Sequence, residues 1–487
     1  MHRSEVHILV PQASRLLNRR KATWSHRSKP IVHLLTMRLI VSLVFALLGL
    51  APAFAAKPNV LLIVADDLGY NDVGFQGGKE IPTPNLDELA AQSLRCTNGY
   101  VSHPFCSPTR AGILTGRYQH RFGHENNPAW LPEDTIAGLP LTETTFPQLM
   151  KQAGYTTGAV GKWHLGAHPQ FHPNRRGFDE YFGALGGGHQ YFPGDKGGVE
   201  YTIPLNRNGQ DEAQTKYLTE QFGDEAAAFV GRHAGEEKPW MLYLAFNAPH
   251  TPLQAPPKWL DQFAHIADKN RQIYAAMVAA LDEAVGQVLK KLEETKQSEN
   301  TLIFFVSDNG GPNLAAKSGS NFTDNTPLRG AKGAVYEGGM RVPFLVSWPA
   351  MIQPGVYEPP VIALDFLPTS LAAANEAGLT PKNLDGVNLL PFVCGERTGT
   401  PHDTLFWRSG GPGGNNAVRR GHWKLVRLGQ AEPELYELGT DIGETKNLAA
   451  DRPEIVQDLV SAIAEWEKGT IAPIFQSPKP GPKKTKN

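Results

Sequence analysis

The sequence predicts an α/β fold, in which a large doubly wound, mixed but mostly parallel sheet is flanked by helices. A smaller C-terminal antiparallel sheet with one helix is expected beside it. Two observations support this prediction. Apolar runs of strand length alternate with stretches of helical periodicity, and after about residue 372 the pattern changes to short strands separated by Gly- and Pro-rich turns.

Four apolar runs have the length and composition of buried parallel strands. The first three are followed closely by polar residues: Asp66 and Asp67, then Asn247 and His250, then Asp308 and Asn309. In open α/β sheets, ligands bind outside the carboxyl ends of the strands, so these polar groups indicate one shared site. The four runs span residues 59–65, 240–246, 301–307 and 342–348.

Helices are predicted between the strands. Residues 85–93 begin after a Pro-Thr-Pro sequence that is typical of a helix start. Residues 270–294 carry a long apolar stripe at helical spacing, with Glu and Lys on the other face. Near the C-terminus we expect a helix at 453–468 after four short strands. These strands are 404–407, 417–420, 423–427 and 434–437.

Composition and charge limit the class of protein. The chain has 487 residues, of which 41% are hydrophobic and 20% are charged, and its formal net charge is -1. These values are typical of a soluble globular protein with one large core and a smaller appendage. The balanced charge gives no reason to expect nucleic acid or a membrane surface as a partner, so an anion site has to come from a local basic cluster.

The N-terminus has the pattern of an export signal. Residues 1–36 are basic and irregular and are predicted to be a non-native or disordered extension. Residues 37–56 combine a basic start, an apolar core and an Ala-rich end, which is typical of a secretory signal peptide. An uncleaved membrane anchor is the alternative. We therefore expect a periplasmic or secreted protein, without stable membrane insertion after cleavage.

The mature chain is predicted to have two structured parts. A catalytic α/β domain is expected at 57–371 and a C-terminal α+β subdomain at 372–477. The Lys- and Pro-rich residues 478–487 are predicted to form a disordered tail.

One of the three cysteines lies in an unusual setting. Cys106 begins the string Cys-Ser-Pro-Thr-Arg, which places a thiol, a turn-forming proline and the fixed cation of Arg110 within five residues. Cys96 and Cys394 could form a disulfide in an exported protein, or both could be free thiols.

The acidic strand ends predict a metal site. Adjacent carboxylates such as Asp66 and Asp67 repel each other and need a compensating cation when they line a pocket, and Asp308 with Asn309 repeats this pattern. Oxygen ligands of this kind suit calcium, with magnesium as the second choice, rather than zinc. The alternative for each pair taken alone is a solvated acidic turn or a helix cap.

A set of basic residues could hold a tetrahedral anion. Lys162 and His164 are two residues apart in a Gly-bounded segment and would face the same side if the segment is extended. Lys332 is flanked by glycines, and the guanidinium of Arg110 can bind an oxyanion through two hydrogen bonds. With His250 these residues could also transfer protons. Taken singly, the histidines could be structural and the lysine could lie in an exposed loop.

The Cys106 string has the form C-x-P-x-R followed by T-G, and it resembles the signature of the type I, formylglycine-dependent sulfatases of the alkaline phosphatase superfamily. Other segments are similar in the same order, and the resemblance covers essentially the whole mature chain. Residues 162–182 are most similar to the branch of arylsulfatases and N-acetylgalactosamine sulfatases. The similar segments include Asp66-Asp67-Leu-Gly, Gly-Lys162-Trp-His164-Leu-Gly and Asp308-Asn309-Gly.

The resemblance implies a site. A sulfatase maturation enzyme would oxidise Cys106 to formylglycine, which Arg110 would anchor. One calcium ion would be bound by the modified residue together with Asp66, Asp67, Asp308 and Asn309. The sulfate would be surrounded by Lys162, His164, His250 and Lys332.

The resemblance also implies a mechanism in two steps. A hydroxyl of the aldehyde hydrate attacks sulfur with Asp308 as base, and the alcohol leaves with a proton from His250 or Lys332. His164 then helps the second hydroxyl to expel sulfate.

The sequence therefore predicts a sulfuric ester hydrolase that releases inorganic sulfate from a sulfate monoester. A sulfated carbohydrate is the expected substrate because the chain is exported. A phosphate or phosphonate monoester hydrolase of the same superfamily and a non-catalytic binder of sulfated glycans are the alternatives, and the complete set of acid–base residues argues against the binder. The segment around His189 is predicted either to contact the leaving group or to be a flexible surface loop.

Overall fold

The computed structural model of the protein describes residues 57–194, 199–314 and 321–477. These residues belong to one unit, Lys57–Asn487. The predicted extension, signal peptide and C-terminal tail lie outside the described residues. The strands are β1 (Asn59–Ala65), β2 (Leu94–Cys96), β3 (Gly99–Tyr100), β4 (Thr156–Gly161), β5 (Glu180–Gly183), β6 (Leu205–Arg207), β7 (Gln210–Glu212), β8 (Trp240–Ala245), β9 (Thr301–Ser307), β10 (Phe344–Ser347), β11 (Gly355–Tyr357), β12 (Val361–Ile362), β13 (Thr404–Ser409), β14 (Asn415–Arg420), β15 (Trp423–Arg427) and β16 (Glu434–Glu437).

The helices connect the strands and cover the sheet. Within the described residues, no helix has the length and apolarity needed to cross a membrane. The α-helices are α1 (Pro84–Ala91), α2 (Cys106–Thr115), α3 (Phe146–Gln152), α4 (Leu218–Arg232), α5 (Pro257–Leu260), α6 (Lys269–Glu294), α7 (Glu337–Met340), α8 (Phe366–Ala373), α9 (Leu390–Val393) and α10 (Pro453–Glu467).

The main sheet has ten strands in the described part of the chain, in the order β11-β2-β10-β9-β1-β8-β4-β5-β6-β7. Its centre, from β9 to β5, is parallel. Antiparallel strands flank the centre on both sides. All of β8 and β9 is buried, and so is β1 beyond its first residue, because helices cover both faces. The predicted fold class is confirmed.

Two hydrophobic cores lie on opposite faces of this sheet. One contains apolar residues of α2, α3 and α8, and the other contains those of α1, α4 and α6. Helix α6 is the predicted helix at 270–294, and Met277, Leu281 and Val285 of its stripe are fully buried. The carboxylate of Asp268 caps the helix by accepting a hydrogen bond from the Arg271 backbone N–H at 2.9 Å.

One strand prediction is wrong in direction. The run at 342–348 was expected to be parallel, but β10 is antiparallel to β9. The chain leaves β9 at its carboxyl end and stays at that edge, where Gly310 N donates to Gly339 O at 3.1 Å. Phe344 begins β10 only a few residues later. The strand therefore has to run back across the sheet.

A second, antiparallel sheet contains β13 to β16 in sequence order, and α10 packs on it. The four predicted C-terminal strands and the terminal helix are thus confirmed. Trp407 of β13 is fully buried and donates from Nε1 to the Val101 carbonyl at 2.7 Å. Arg408 forms a buried ion pair with Glu125. The small sheet therefore packs into the main core, and the domain boundary predicted after residue 371 stays a prediction.

The cysteines are not paired. Cys96 and Cys106 are buried free thiols, and Cys394 is a half-buried free thiol. Of the two alternatives for Cys96 and Cys394, the structure has the free form.

Candidate functional site

Four neighbouring strands of the main sheet, β9, β1, β8 and β4, present polar side chains at the same edge. Because the four strands are parallel, their carboxyl ends meet there. The structure thus brings together the sequence-predicted residues of all four segments. They are Asp308 and Asn309 after β9, Asp66 and Asp67 after β1, His250 after β8, and Lys162 and His164 after β4.

Cys106 reaches this edge as the first residue of α2, and Arg110 lies one turn later on the same face of the helix. The Cys106 side chain is 1% exposed. Its Sγ lies 3.2 Å from Lys332 Nζ and 3.5 Å from Asp66 Oδ1. Burial raises the pKa of this thiol to about 12, although two nearby lysines oppose the shift. The encoded side chain is therefore a neutral thiol at neutral pH.

Three buried carboxylates at the site are matched by three buried cations. An isolated buried charge is costly, so this matching is what allows the cluster to lie inside the protein. Lys162 Nζ lies 2.5 Å from Asp66 Oδ2, Lys332 Nζ lies 2.6 Å from Asp67 Oδ1, and Arg110 Nη2 lies 2.7 Å from Asp308 Oδ2.

The pairing sets the protonation states of these groups. Burial opposes the ionisation of Asp67, but Lys332 and His250 outweigh it and lower the pKa of Asp67 to about 2. Burial and the neighbouring Asp66 charge raise the pKa of Asp308 to about 6. Burial also acts against the charge of Lys332, yet Asp67 and the other acidic groups of the site together raise the pKa of this lysine well above its usual value. The lysine therefore remains a cation.

Two histidines border the cluster in their neutral form. His250 Nδ1 lies 2.6 Å from the Thr251 carbonyl, and Nε2 lies 3.7 Å from Asp67 Oδ2. Burial lowers the pKa of His250 to about 3. Burial, reinforced by Lys162, lowers the pKa of His164 well below its usual value. Its buried Nδ1 has no hydrogen-bond partner among the described residues, so it is available to accept a proton.

His164 lies in a turn of the backbone, so the alternation of side chains along a strand does not determine its position. The residue has a φ of 57°, so the expectation of an extended segment through Lys162 and His164 is wrong at this point. Gly187 packs against the imidazole, and a Cβ at that position would lie 2.4 Å from His164 Nε2. A glycine is required here because of this close approach.

The cluster contains donors for a hard metal ion. Asn309 Nδ2 donates to Asp67 Oδ1 at 2.7 Å, while the buried Asn309 Oδ1 has no partner among the described residues. A buried amide oxygen without a donor fits a cation ligand, and calcium prefers such oxygens. Asp308 Oδ2 is turned towards Arg110, and its role as a ligand stays a prediction. Four groups have one ligand atom each within 4.8 Å of one another: Asp66, Asp67, Cys106 and His250.

The chain also carries the sequence pattern of a known family over most of its length. The family model described as Sulfatase matches residues 58–376. The chain belongs to the sulfatase family. A second model, described as N-sulphoglucosamine sulphohydrolase, C-terminal, matches residues 331–468. The predicted resemblance to type I sulfatases is confirmed, and the protein is a sulfatase enzyme.

Individual relatives of this sulfatase cover most of both chains. N-acetylgalactosamine-6-sulfatase of Canis lupus familiaris is 35% identical, over 75% of this chain and 71% of the relative. Arylsulfatase A of Bos taurus is also 35% identical, over 85% of this chain and 88% of the relative. The crystal structure of Ps i-CgsB in complex with k-i-k-neocarrahexaose is similar with a TM-score of 0.80 and 39% identity, over 86% of this chain and 95% of that chain.

Two further side chains lie near the sulfatase site: Asn247, which was expected at this edge without an assigned role, and Tyr201, which sequence reasoning missed. Asn247 is buried beside His250, and both atoms of its amide lack a hydrogen-bond partner among the described residues. Tyr201 lies against Gly188, where a Cβ would be 2.6 Å from the tyrosine ring. Burial raises the pKa of Tyr201, and the charges of the site also act on it. No sequence motif marks this tyrosine.

His189 does not point into the cluster. Its Nδ1 lies 2.7 Å from the Gln190 carbonyl and its Nε2 lies 2.8 Å from the Ile203 carbonyl. The ring is buried and joins two parts of the chain. The residues of this segment that border the site are instead its glycines, Gly187 and Gly188.

Proposed function

We propose that this sulfatase is an exported sulfuric ester hydrolase that releases inorganic sulfate from a sulfated carbohydrate, with a formylglycine made from Cys106 as its nucleophile. The position of Cys106, between carboxylates and three cations, is the observation that supports this best. As a protonated buried thiol, the encoded side chain would be a poor nucleophile. Formylglycine would supply a hydrated aldehyde, and hence oxygen atoms, at this point.

A single calcium ion is the proposed metal. When bound, it would stabilise negative charge on the oxygens of the transferred sulfate. Magnesium fits less well because it demands a near-ideal octahedron of ligands. The ion would be held by Asp66, Asp67, Asp308, Asn309 and the modified residue 106, and the orphaned Asn309 Oδ1 supports this assignment.

The chain's own cations would bind the sulfate. Arg110, Lys162 and Lys332 neutralise the three carboxylates, so a divalent ion would leave the site with a surplus of positive charge. A sulfate monoester carries one negative charge and develops more on the leaving oxygen. The site would therefore favour the transition state over the bound ester.

Proton transfer would be carried out by His164 and by either Lys332 or His250. His164 is neutral and has an unpaired nitrogen, so it can accept a proton. The leaving alcohol would take its proton from Lys332 or His250, both of which face Asp67. Lys332 already carries its proton, whereas His250 would first have to gain one.

A sulfated oligosaccharide is the proposed substrate. Supporting this are the N-acetylgalactosamine-6-sulfatase relative and the neocarrahexaose bound to Ps i-CgsB. Export through residues 37–56 would place the enzyme where such polymers occur, and a maturation enzyme would have to act on Cys106.

Mass spectrometry of the Cys106 peptide tests whether Cys106 is converted to formylglycine. The protein is purified from a host that matures sulfatases, and we expect the aldehyde or its hydrate in place of the thiol. Inorganic sulfate is then measured with p-nitrophenyl sulfate, N-acetylgalactosamine 6-sulfate and neocarrahexaose. Cys106→Ala should release none. Intact thiol in an active preparation would exclude formylglycine, and faster turnover of p-nitrophenyl phosphate would favour the phosphatase alternative.

A further inference from the structure

A cavity of about 460 Å³ lies beside the cluster of catalytic candidates. Its size falls in the range of about 300–1,000 Å³ that is usual for ligand pockets. It is lined by one aromatic side chain and by groups that form hydrogen bonds. The lining side chains used below are Trp130, His168, His172, Asn174, Arg175 and Asn206, and we call this space the Trp130 cavity.

The Trp130 cavity is close to Cys106. Asn127 Oδ1 accepts a hydrogen bond at 3.1 Å from the backbone N–H of Ser107, the residue after Cys106. Trp130 follows Asn127 by three residues, which can span at most about 11 Å. On the other side, Gly166 lines the cavity and follows His164 by two residues, at most about 7 Å. These two short links place one wall of the cavity within reach of the sulfate pocket.

The chemistry of the walls favours an anionic sugar. None of the lining residues is an aspartate or a glutamate. Arg175 is exposed and forms no ion pair with the described residues, so its guanidinium is free to bind an anion. Asn174 Oδ1 is buried without a partner among those residues and could accept a hydroxyl donor. Trp130 is half-buried and offers an apolar ring face, on which the C–H face of a sugar can pack.

Other polar groups hold the wall in place. His172 Nε2 and Asn206 Oδ1 are 2.9 Å apart, and the Asn174 amide donates to the Asn208 side chain at 3.3 Å. These bonds join the segment that carries Arg175 to the β6–β7 hairpin. The cavity is thus preformed rather than assembled on binding.

We propose that the Trp130 cavity is a subsite for a second sugar residue of the substrate, one that carries its own anionic group. This rests on the proposed sulfate ester hydrolysis and adds that the enzyme prefers an oligosaccharide with negative charge next to the hydrolysed sulfate. Trp130 packs against the sugar ring, and Arg175 binds its sulfate or carboxylate.

Three disaccharides test the proposal. All contain the sugar sulfate from which the wild-type enzyme releases sulfate fastest, and the neighbouring sugar carries a sulfate, a carboxylate or no charge. We expect Arg175→Gln to raise KM by about 3- to 5-fold for the charged disaccharides, the size of a partly exposed ion pair. KM for the neutral disaccharide should stay unchanged. Which charged disaccharide has the lower KM distinguishes sulfate from carboxylate.

Trp130→Ala should raise KM for all three disaccharides by about tenfold. Neither variant should change kcat or KM for p-nitrophenyl sulfate, which is too short to enter the cavity. Arg397→Gln, an exposed arginine outside the cavity, is the matched control. Unchanged KM values for both cavity variants, in an enzyme that still hydrolyses p-nitrophenyl sulfate, would overturn the subsite alone. A wild-type enzyme that releases sulfate from no ester would overturn the proposed function.

Discussion

Gly187 has no side chain, and the His164 imidazole lies in the space that a Cβ at this position would fill. A Cβ there would come within 2.4 Å of Nε2, much closer than atoms can pack. His164 is further held by its main chain, whose carbonyl accepts from the Ser107 hydroxyl at 2.6 Å. The ring therefore cannot keep its position if residue 187 has a side chain.

Gly187→Ala should reduce kcat for p-nitrophenyl sulfate by at least about tenfold, because small displacements of a catalytic group have large kinetic effects. The melting temperature should change little, since Gly187 contributes no side chain to either core. Gly378→Ala is the control, because a Cβ at Gly378 meets nothing within 4 Å. Full activity of the Gly187 variant would show that His164 has no essential role.

The matched charges at the site lead to a prediction about removal of the metal ion. Three lysine or arginine partners already neutralise Asp66, Asp67 and Asp308, so the fold does not depend on a metal ion for charge balance. Removal of calcium with EGTA should abolish sulfate release. The circular dichroism spectrum should be retained, because a bound ion at a thousandfold excess over its Kd adds only about 4 kcal/mol.

Readdition of calcium should restore sulfate release, and magnesium should restore less. Cooperative unfolding on chelation would contradict the charge-matching argument. Undiminished activity after complete metal removal, measured by elemental analysis, would contradict the metal assignment itself.

At the scale of elements, the sequence predicts the parallel centre well because its strands are long and apolar. β1, β8 and β9 appear at the expected positions, and the polar residues that follow them meet at one edge. β4 was missed as a strand because Gly158 and Gly161 interrupt its apolar pattern. Its neighbours in the sheet, rather than its own composition, make it a strand. The direction of β10 depends on the path of the Lys332 segment, which periodicity does not encode.

Local sequence patterns also identify only some of the residues at the site. Residues in motifs, such as Cys106 and Lys162, were found because their neighbours are unusual. Tyr201, near the site, and Trp130, in the cavity described above, were not, because no local sequence pattern specifies the chain path that positions them. Lys424 is a further example, since it reaches from β15 to a carboxylate of α7.

This Lys424 contact joins the small sheet to the segment that carries Lys332. Its Nζ lies 2.8 Å from Glu337 Oε1 and 2.9 Å from Glu444 Oε1, and all three side chains are buried. Burial opposes the ionisation of Glu337, but Lys424, Arg341 and Arg419 together outweigh it and lower the pKa of Glu337 to about 2. Burial raises the pKa of Glu444 to about 7. Lys424 thus helps to ionise Glu337, while Glu444 stays partly protonated near neutral pH.

Glu444→Gln should remove a pH dependence of stability. The pKa of Glu444 is raised from 4.5 to about 7 in the folded protein, so the folded state binds more protons in this range and its stability falls as the pH rises through it. Glutamine cannot ionise and should lack this fall. The melting temperature of the variant minus that of the wild type should therefore increase from pH 5 to pH 8. A constant difference would contradict the assignment, and the exposed Glu465→Gln is the control.

At the scale of the whole molecule, the small sheet cannot be separated from the large one. Leu405, Trp407 and Tyr436 belong to the same core cluster as the central strands. Glu125 of the main part has its buried charge neutralised by Arg408 of β13. Breaking a buried ion pair by removal of one partner costs about 3–5 kcal/mol.

A chain that ends after Thr400 should therefore be insoluble or lack a cooperative unfolding transition. It would expose one side of the core, leave Glu125 without Arg408 and remove Lys424 from Glu337, which would keep its contact with Arg341. A chain that ends at Ser477 is the control and should keep the melting temperature of the full protein. Cooperative unfolding of the shorter chain, seen by calorimetry, would show that the main sheet folds alone.

The burial of α2 has a consequence for how active protein arises. All ten residues of this helix are buried, and Cys106 lies at its start beneath the sheet edge. If formylglycine is made from Cys106 as proposed, the modification would have to precede the burial of this thiol, so folding and modification would compete in time. The active fraction of a preparation would then be set by the ratio of the rates of modification and folding, and slower folding, for example at low temperature, should raise it. Each molecule would then stay either modified or unmodified, depending on which process came first.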